Sequence, residues 1–135
     1  SVSNSLVSTI DLPKTILSIL GVKEKHHPEA FQGYDIIPVL KDPSKKIRER
    51  ILIEHDEEIA KDKIMRLRTL ITEKYRLTIY DGFDNLGDLF DLQSDPSELN
   101  NLWNSHRELR GKITEELLRE IISLQPRIPK RNAYN

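Results

Sequence analysis

Acidic side chains crowd two short stretches of the sequence, and carboxylates at such spacing can coordinate a metal ion or work as an acid and base pair. The first stretch runs from Leu89 to Trp103 and contains Asp91, Asp95 and Glu98. The second reads Glu-His-Asp-Glu-Glu and begins at Glu54. The elements that carry the two stretches decide whether either of them is a site.

The first stretch contains Ser94, Pro96 and Ser97 in the order of a known nucleophile motif, Cys/Ser-x-Pro-Ser-Arg. Glu98 stands where that motif needs arginine, and a carboxylate there would repel the anion that the arginine holds. The same residues fit the start of a helix, with Asp95 as the cap, Pro96 at the first helical position and Glu98 completing a capping box. We therefore predict a helix from Asp95 and assign no catalytic residue here.

The second stretch overlaps the end of a β-branched apolar run, 50–55, which predicts a short strand. We expect Glu54–Glu58 to end that strand and open a charged, solvated loop. The alternative is that this loop reaches a neighbouring active site, since binding residues often lie on loops carried by rigid strands. His55 is then the first candidate for the substrate pocket, with Glu54 and Asp56 beside it, because imidazole binds or protonates anions near neutral pH.

Three further segments predict strands. Apolar and polar residues alternate over 64–72 and 75–81, a tight turn joins the two, and 88–92 gives a fourth short strand. Four strands in this order imply an antiparallel sheet with one buried face. The alternation also places Arg66 and Arg68 on one face, where ion pairing or solvation is the simplest account and a grip on an anion is the alternative.

Helical patterns lie at both ends of the chain. Asp11 can cap a first helix that Gly21 ends in the left-handed conformation. After a proline-containing loop with a short turn at 36–40, the sheet leads to a long amphipathic helix between Ser105 and Leu124. The apolar stripe of that helix needs the sheet to cover it, so the predicted fold class is α+β. The tail from Gln125 is predicted to be extended or disordered.

Composition restricts the classes of partner. The 135 residues contain 21 basic and 22 acidic side chains, which disfavours nucleic acid as the main partner. No apolar stretch approaches the roughly 18 residues of a membrane span. The sequence begins without a methionine or a signal peptide, so it reads as part of a longer chain and leaves the compartment open.

Four segments in unbroken order resemble the C-terminal end of the sulfatase family, within the alkaline-phosphatase-like superfamily. They are STIDLPKTILSILGV, QGYDIIPVL, RTLITEKYRLTIY and GDLFDLQSDPSELNNLW. Departures from the family pattern are small: Lys14 separates Pro13 from Thr15, and Asp35 stands where serine is usual. The resemblance extends from about Ser8 to Leu124, and this length makes it specific.

The resemblance implies that residues 1–45 are the last helix and loop of an α/β catalytic domain and that 46–135 form the C-terminal subdomain. The family's formylglycine, its calcium site and its sulfate-binding residues lie upstream of the matched region. We therefore expect no catalytic residue, metal or cofactor in this chain, which would buttress the missing catalytic domain. The resemblance also implies a sulfated small molecule or carbohydrate as substrate, with Glu54–Glu58 near its pocket.

Two alternatives stay open. The parent protein could instead be a phosphodiesterase or phosphonate monoester hydrolase of the same superfamily, which would differ in its upstream nucleophile and metal ligands. The chain could also be a free-standing α+β interaction module. The predicted first helix argues against the module. Without a partner sheet its apolar stripe would stay exposed to water, which costs about 25 cal/mol per Å² of apolar surface.

Overall fold

The computed structural model describes residues 2–60, 63–83 and 85–124, and the tail from Gln125 lies outside these ranges. Short 3-10 turns cover Thr9–Asp11 and Glu24–His26. The main elements follow in chain order: α1 (Leu12–Ile19), α2 (Ile37–Lys41), β1 (Arg50–Ala60), β2 (Lys63–Thr72), β3 (Tyr75–Tyr80), β4 (Gly87–Asp91) and α3 (Arg107–Leu124). The predicted α+β fold class, with a helix before the sheet and a long helix after it, is confirmed.

The four strands form one antiparallel sheet in the order β1-β2-β3-β4. Its register aligns one leucine from each strand in a row: Leu52 opposite Leu70, Leu70 opposite Leu77, and Leu77 opposite Leu89. Leu70, Leu77 and Leu89 are completely buried. The period-2 alternation of the sequence therefore produces one continuous apolar face, as predicted.

Helix α3 covers the leucine row. Ile113 and Leu117, four residues apart on one side of the helix, are buried against Leu70, Leu77 and Leu89. The helix crosses only part of the sheet, because β1 and β2 extend well beyond the leucines toward the hairpin that joins them. None of the helices in the described ranges is long and apolar enough to cross a bilayer.

The predicted helix from Asp95 is wrong, since α3 begins at Arg107. Residues 95–98 form turns, and Glu98 adopts a left-handed conformation with a φ of 53°. Its carboxylate accepts two hydrogen bonds from Arg76, at 2.8 and 2.5 Å. Arg76 of β3 thus binds the glutamate that the capping-box pattern assigned to a helix. Asp95 caps a turn instead and accepts a hydrogen bond from the amide of Asn100 at 2.8 Å.

The predicted loop at Glu54–Glu58 is also wrong. β1 continues to Ala60, and every residue from Glu54 to Glu58 pairs with β2. Arginines on β2 lie directly opposite two of the acids, Arg68 opposite Glu54 and Arg66 opposite Asp56. Opposite charges in facing positions stabilise strand pairing, which explains why an acidic segment remains in the sheet.

The first helix is confirmed, and Gly21 ends it with a φ of 77°. Asp11 occupies the cap position, but its side chain makes no capping hydrogen bond to the helix. It points instead toward the loop that follows, which contains α2 near the predicted turn at 36–40. Side-chain contacts of Asp11, rather than a helix cap, therefore connect α1 to the loop ahead of the sheet.

Candidate functional site

The extended part of the β1–β2 hairpin carries the candidate residues on two opposite faces. Glu54 and Asp56 lie on the face that α3 covers further down, and both bind Arg68. The guanidinium of Arg68 lies 2.9 Å from the Glu54 carboxylate and 2.7 Å from that of Asp56. The structure therefore brings Glu54 and Asp56 together around one arginine.

His55 lies on the other face of the sheet, because successive side chains of a strand point to opposite sides. Its Nε2 is 3.4 Å from a carboxylate oxygen of Glu57, and about half of each side chain is exposed. The three residues predicted to share a pocket thus divide into an acidic pair on one face and a histidine on the other. A single ligand can touch all three only by enclosing the edge of β1.

The ion pair with Arg68 fixes the charge of Asp56. The hydrogen bond from Arg68 lowers the pKa of Asp56; partial desolvation opposes that shift, and the charges of Arg68 and Arg66 reinforce it. The Asp56 hydrogen bond in turn raises the pKa of Arg68. Asp56 is therefore ionised at neutral pH and unsuited to act as a general acid. Its chemistry is that of a fixed acceptor for hydroxyl or amine donors.

A concavity of about 440 Å³ lies beside the acidic pair. Arg66 and Arg68 of β2 line it together with Ile79 of β3, which lies opposite Arg68, and the turn after β3 contributes Asp81 and Phe83. The alternation of β2 predicts the shared face of the two arginines, and their predicted ion pairing is confirmed. The contribution of Phe83 is not visible in the sequence, because it depends on the pairing of β3 with β2. That pairing brings the turn after β3 beside Arg66, whose carbonyl accepts a hydrogen bond from the amide of Asp81 at 2.8 Å.

The acids of the Leu89–Trp103 stretch are occupied by structural contacts. Asp91 accepts hydrogen bonds from the amides of Gln93 and Ser94, at 3.0 and 3.2 Å. Across residues 2–60, 63–83 and 85–124, no group of three or more histidine, aspartate or glutamate side chains could hold a metal ion. These residues do not fit the calcium site that the family resemblance implies for the parent protein.

A second feature of the chain is the buried carboxylate of Asp11. It accepts hydrogen bonds from the amides of Ser8 and Tyr34, at 2.7 and 2.8 Å, and forms an ion pair with Arg48. Thr15 continues the same connection, since its hydroxyl donates to the Asp11 carbonyl and accepts from the amide of Ile36. These contacts connect α1 to the loop and to the entry of the sheet.

The outer face of this opening segment is apolar and exposed. Large hydrophobic side chains with about half or more of their surface accessible are Ile10, Leu12, Ile16, Ile19 and Leu20. Contiguous exposed apolar surface of this kind marks an interaction site in a folded protein. In the arrangement that the Asp11 contacts hold, these side chains are not buried by the described part of the chain.

The family of this chain follows from a match between residues 1–126 and the sequence profile "N-sulphoglucosamine sulphohydrolase, C-terminal". The chain belongs to this sulphohydrolase C-terminal family. The predicted identity as the C-terminal portion of a sulfatase is thereby confirmed. A comparison with curated protein sequences finds no match.

Solved structures similar to this sulphohydrolase C-terminal chain are sulfatases. The putative sulfatase yidJ from Bacteroides fragilis has a TM-score of 0.65 and 25% identity, covering 82% of this chain and 24% of that one. BT4656, in complex with its substrate D-glucosamine-2-N,6-O-disulfate, has a TM-score of 0.65 and 22% identity, with coverage of 82% and 23%. A putative sulfatase from Bacteroides thetaiotaomicron has a TM-score of 0.57 and 22% identity, with coverage of 88% and 27%. The chain thus spans about a quarter of each.

Proposed function

We propose that this chain is the C-terminal part of a hydrolase that cleaves sulfate esters of carbohydrates. The observation that carries the proposal is the family match over 1–126. The substrate class is supported by the disulfated glucosamine that is the substrate of BT4656. Residues 1–45 would complete the catalytic domain, and 46–135 would form the C-terminal subdomain beside it.

The buttressing role rests on the exposed face of α1. A missing domain that covered Ile16, Ile19 and Leu20 would remove apolar surface from water, and each fully buried side chain of this size contributes about 1.5–3 kcal/mol. The Asp11 contacts hold this face in a fixed orientation before any partner arrives. A preorganised surface loses little conformational entropy on docking, which favours tight packing. The same exposed face disfavours the free-standing module.

The pocket-shaping role rests on the extended hairpin. Beyond the part covered by α3, the strands present Glu54 and Asp56 on one face and His55 on the other, all exposed. Rigid strands place such side chains more precisely than a loop would. The catalytic groups, with the calcium and formylglycine implied by the resemblance, would belong to the part of the protein outside these 135 residues. We therefore expect the isolated chain to be inactive.

Sulfate release tests the proposal. We expect the full-length protein to liberate inorganic sulfate from D-glucosamine-2-N,6-O-disulfate, and the 135-residue chain at equal concentration to liberate none. A phosphate diester and a phosphonate monoester serve as competing substrates. Faster turnover of either phosphorus ester than of every sulfate ester would replace the proposal with the related hydrolase activity. Turnover by the highly purified 135-residue chain that persists in EDTA would overturn the expectation that the isolated chain is inactive.

The role of His55 has its own test. We expect His55→Ala in the full-length protein to lower kcat/KM for the sulfated saccharide while leaving the folding stability nearly unchanged, since the side chain is half exposed. His26→Ala, at an exposed histidine in a turn far from the hairpin in sequence, is the matched control. Equal kinetics for the two variants on several sulfated substrates would make His55 an ordinary surface residue.

A further inference from the structure

We propose that Arg66 binds a second anionic group of the saccharide, a carboxylate or another sulfate, while the sugar ring packs against Phe83. This inference rests on the proposed function and assigns a substrate contact to the concavity beside the acidic pair. It concerns recognition only.

The two arginines of this face differ in how firmly they are held. Arg68 is saturated by contacts at 2.9 and 2.7 Å to Glu54 and Asp56, and 29% of its side chain is exposed. Among the residues that the structure describes, the Arg66 side chain has two long contacts, of 3.7 Å each, to Asp56 and Asp81, and 50% of it is exposed. Within the described part of the chain, Arg66 is therefore held less firmly than Arg68 and can turn its N–H donors toward a ligand. A guanidinium pairs in bidentate fashion with carboxylates and related oxyanions.

The other walls of the concavity suit a sugar ring. Phe83 is 45% exposed although it is large and apolar, and Ile79 lines the space beside it. Pyranose rings carry C–H faces that pack against such surfaces, and their hydroxyls need acceptors. Asp81 offers one at the rim, with 67% of its side chain exposed. An apolar wall with a few convergent polar groups is the usual composition of a small-molecule site.

Steady-state kinetics of the full-length protein test the assignment on two substrates. One is D-glucosamine-2-N,6-O-disulfate, and the other is glucosamine 6-sulfate, which lacks the second anionic group. For Arg66→Gln we expect KM for the disulfate to rise about tenfold, the effect of losing one charge-assisted contact, with kcat within about twofold. KM for the monosulfate should stay unchanged, and Arg66→Lys should restore part of the loss because it keeps the charge without the fork.

Arg119→Gln is the matched control, at an arginine on α3 whose side chain is 74% exposed and pairs with Glu115 on the same helix. An equal KM change for the two substrates, or no change for either, would overturn the role of Arg66. Phe83→Ala should raise KM for both sugars, and an unchanged KM would overturn the packing part.

Binding separates this inference from the proposed function. If the wild-type protein releases no sulfate, titration calorimetry with the same disulfate still measures affinity. Binding that weakens about tenfold in Arg66→Gln would support the recognition site while the sulfatase proposal failed. Absence of binding by the wild-type protein would overturn the recognition site. Normal sulfate release together with unaltered kinetics of Arg66→Gln would overturn the recognition site and leave the sulfatase proposal standing.

Discussion

The carboxylate of Asp11 and the guanidinium of Arg48 form a buried ion pair that connects the opening helix to the start of the sheet. Their side chains are 0% and 8% exposed, and 37 positions separate them in the sequence. Arg48 also lies over the ring of Tyr34, 4.6 Å from its centroid. Burial alone would raise the pKa of Asp11, but hydrogen bonds from Arg48 and from the amides of Tyr34 and Ser8 outweigh it and lower that pKa.

We expect Asp11→Asn to lower the free energy of unfolding by about 3 kcal/mol at neutral pH, because it leaves the buried Arg48 charge without a partner. Urea unfolding of the 135-residue chain, followed by circular dichroism, measures the change. Asp81→Asn, at an exposed carboxylate whose ion pair with Arg66 is long at 3.7 Å, is the control and should cost less than about 0.5 kcal/mol. Equal losses in the two variants would contradict the importance of the buried pair.

The same pair makes stability depend on pH. Because folding lowers the pKa of Asp11 below 3.8, its ionised form stabilises the protein above that pH, and the contribution is lost as pH falls through the folded-state pKa. The difference in unfolding free energy between wild type and Asp11→Asn should therefore be constant near neutrality and shrink in acid. A difference that stays constant down to the acid unfolding transition would exclude this linkage.

Two glycines give a matched pair of stability predictions. A Cβ on Gly87 would lie 2.3 Å from the ring of Trp103, whereas one on Gly111 of α3 would meet nothing within 4 Å. We expect Gly87→Ala to destabilise the fold by about 1–3 kcal/mol through overpacking. Gly111→Ala should stabilise it by about 0.5–1 kcal/mol, as alanine does in a helix interior. Thermal unfolding of both variants tests this pair of predictions. The Tm should fall in Gly87→Ala and rise in Gly111→Ala, and changes of the same sign would contradict it.

The contact between Arg76 and Glu98 should be worth about 1 kcal/mol in a double-mutant cycle with Arg76→Gln and Glu98→Gln. The two hydrogen bonds of 2.8 and 2.5 Å are charge-assisted, and only 26% and 32% of the side chains are exposed. The coupling energy should decrease between low and high salt, because screening weakens partly exposed pairs. Coupling indistinguishable from zero would mean that the turn forms without the arginine.

The sheet, its hairpin at 72–75 and the first helix are predictable from the sequence, because each depends on neighbours within a few residues. Alternation fixes which side of β3 carries Leu77, and Gly21 stops α1 by its own conformation. The length of β1 is not predictable in this way. Its acidic end reads as a solvated loop until Arg66 and Arg68, which lie on another strand, are placed opposite.

The candidate site shows the same limit. Glu98 fits a capping box in every local respect, and only the approach of Arg76, 22 positions away, assigns it to a turn. Likewise, the stretch Glu54–Glu58 reads as one cluster in the sequence, but in a strand it divides between two faces. Long-range pairing decides both cases, and a single sequence carries no direct signal for it.

Hydrogen exchange in α1 tests most directly whether this chain is one part of a larger hydrolase. We expect the amides of α1 to exchange about tenfold or more slowly in the full-length protein than in the 135-residue chain, because the proposed catalytic domain would cover Ile16 and Leu20. Amides at Leu70 and Leu77, buried in both, should change little and would show that the chain is folded. Equal protection of α1 in the two proteins would contradict the account, since the apolar face would then have no partner.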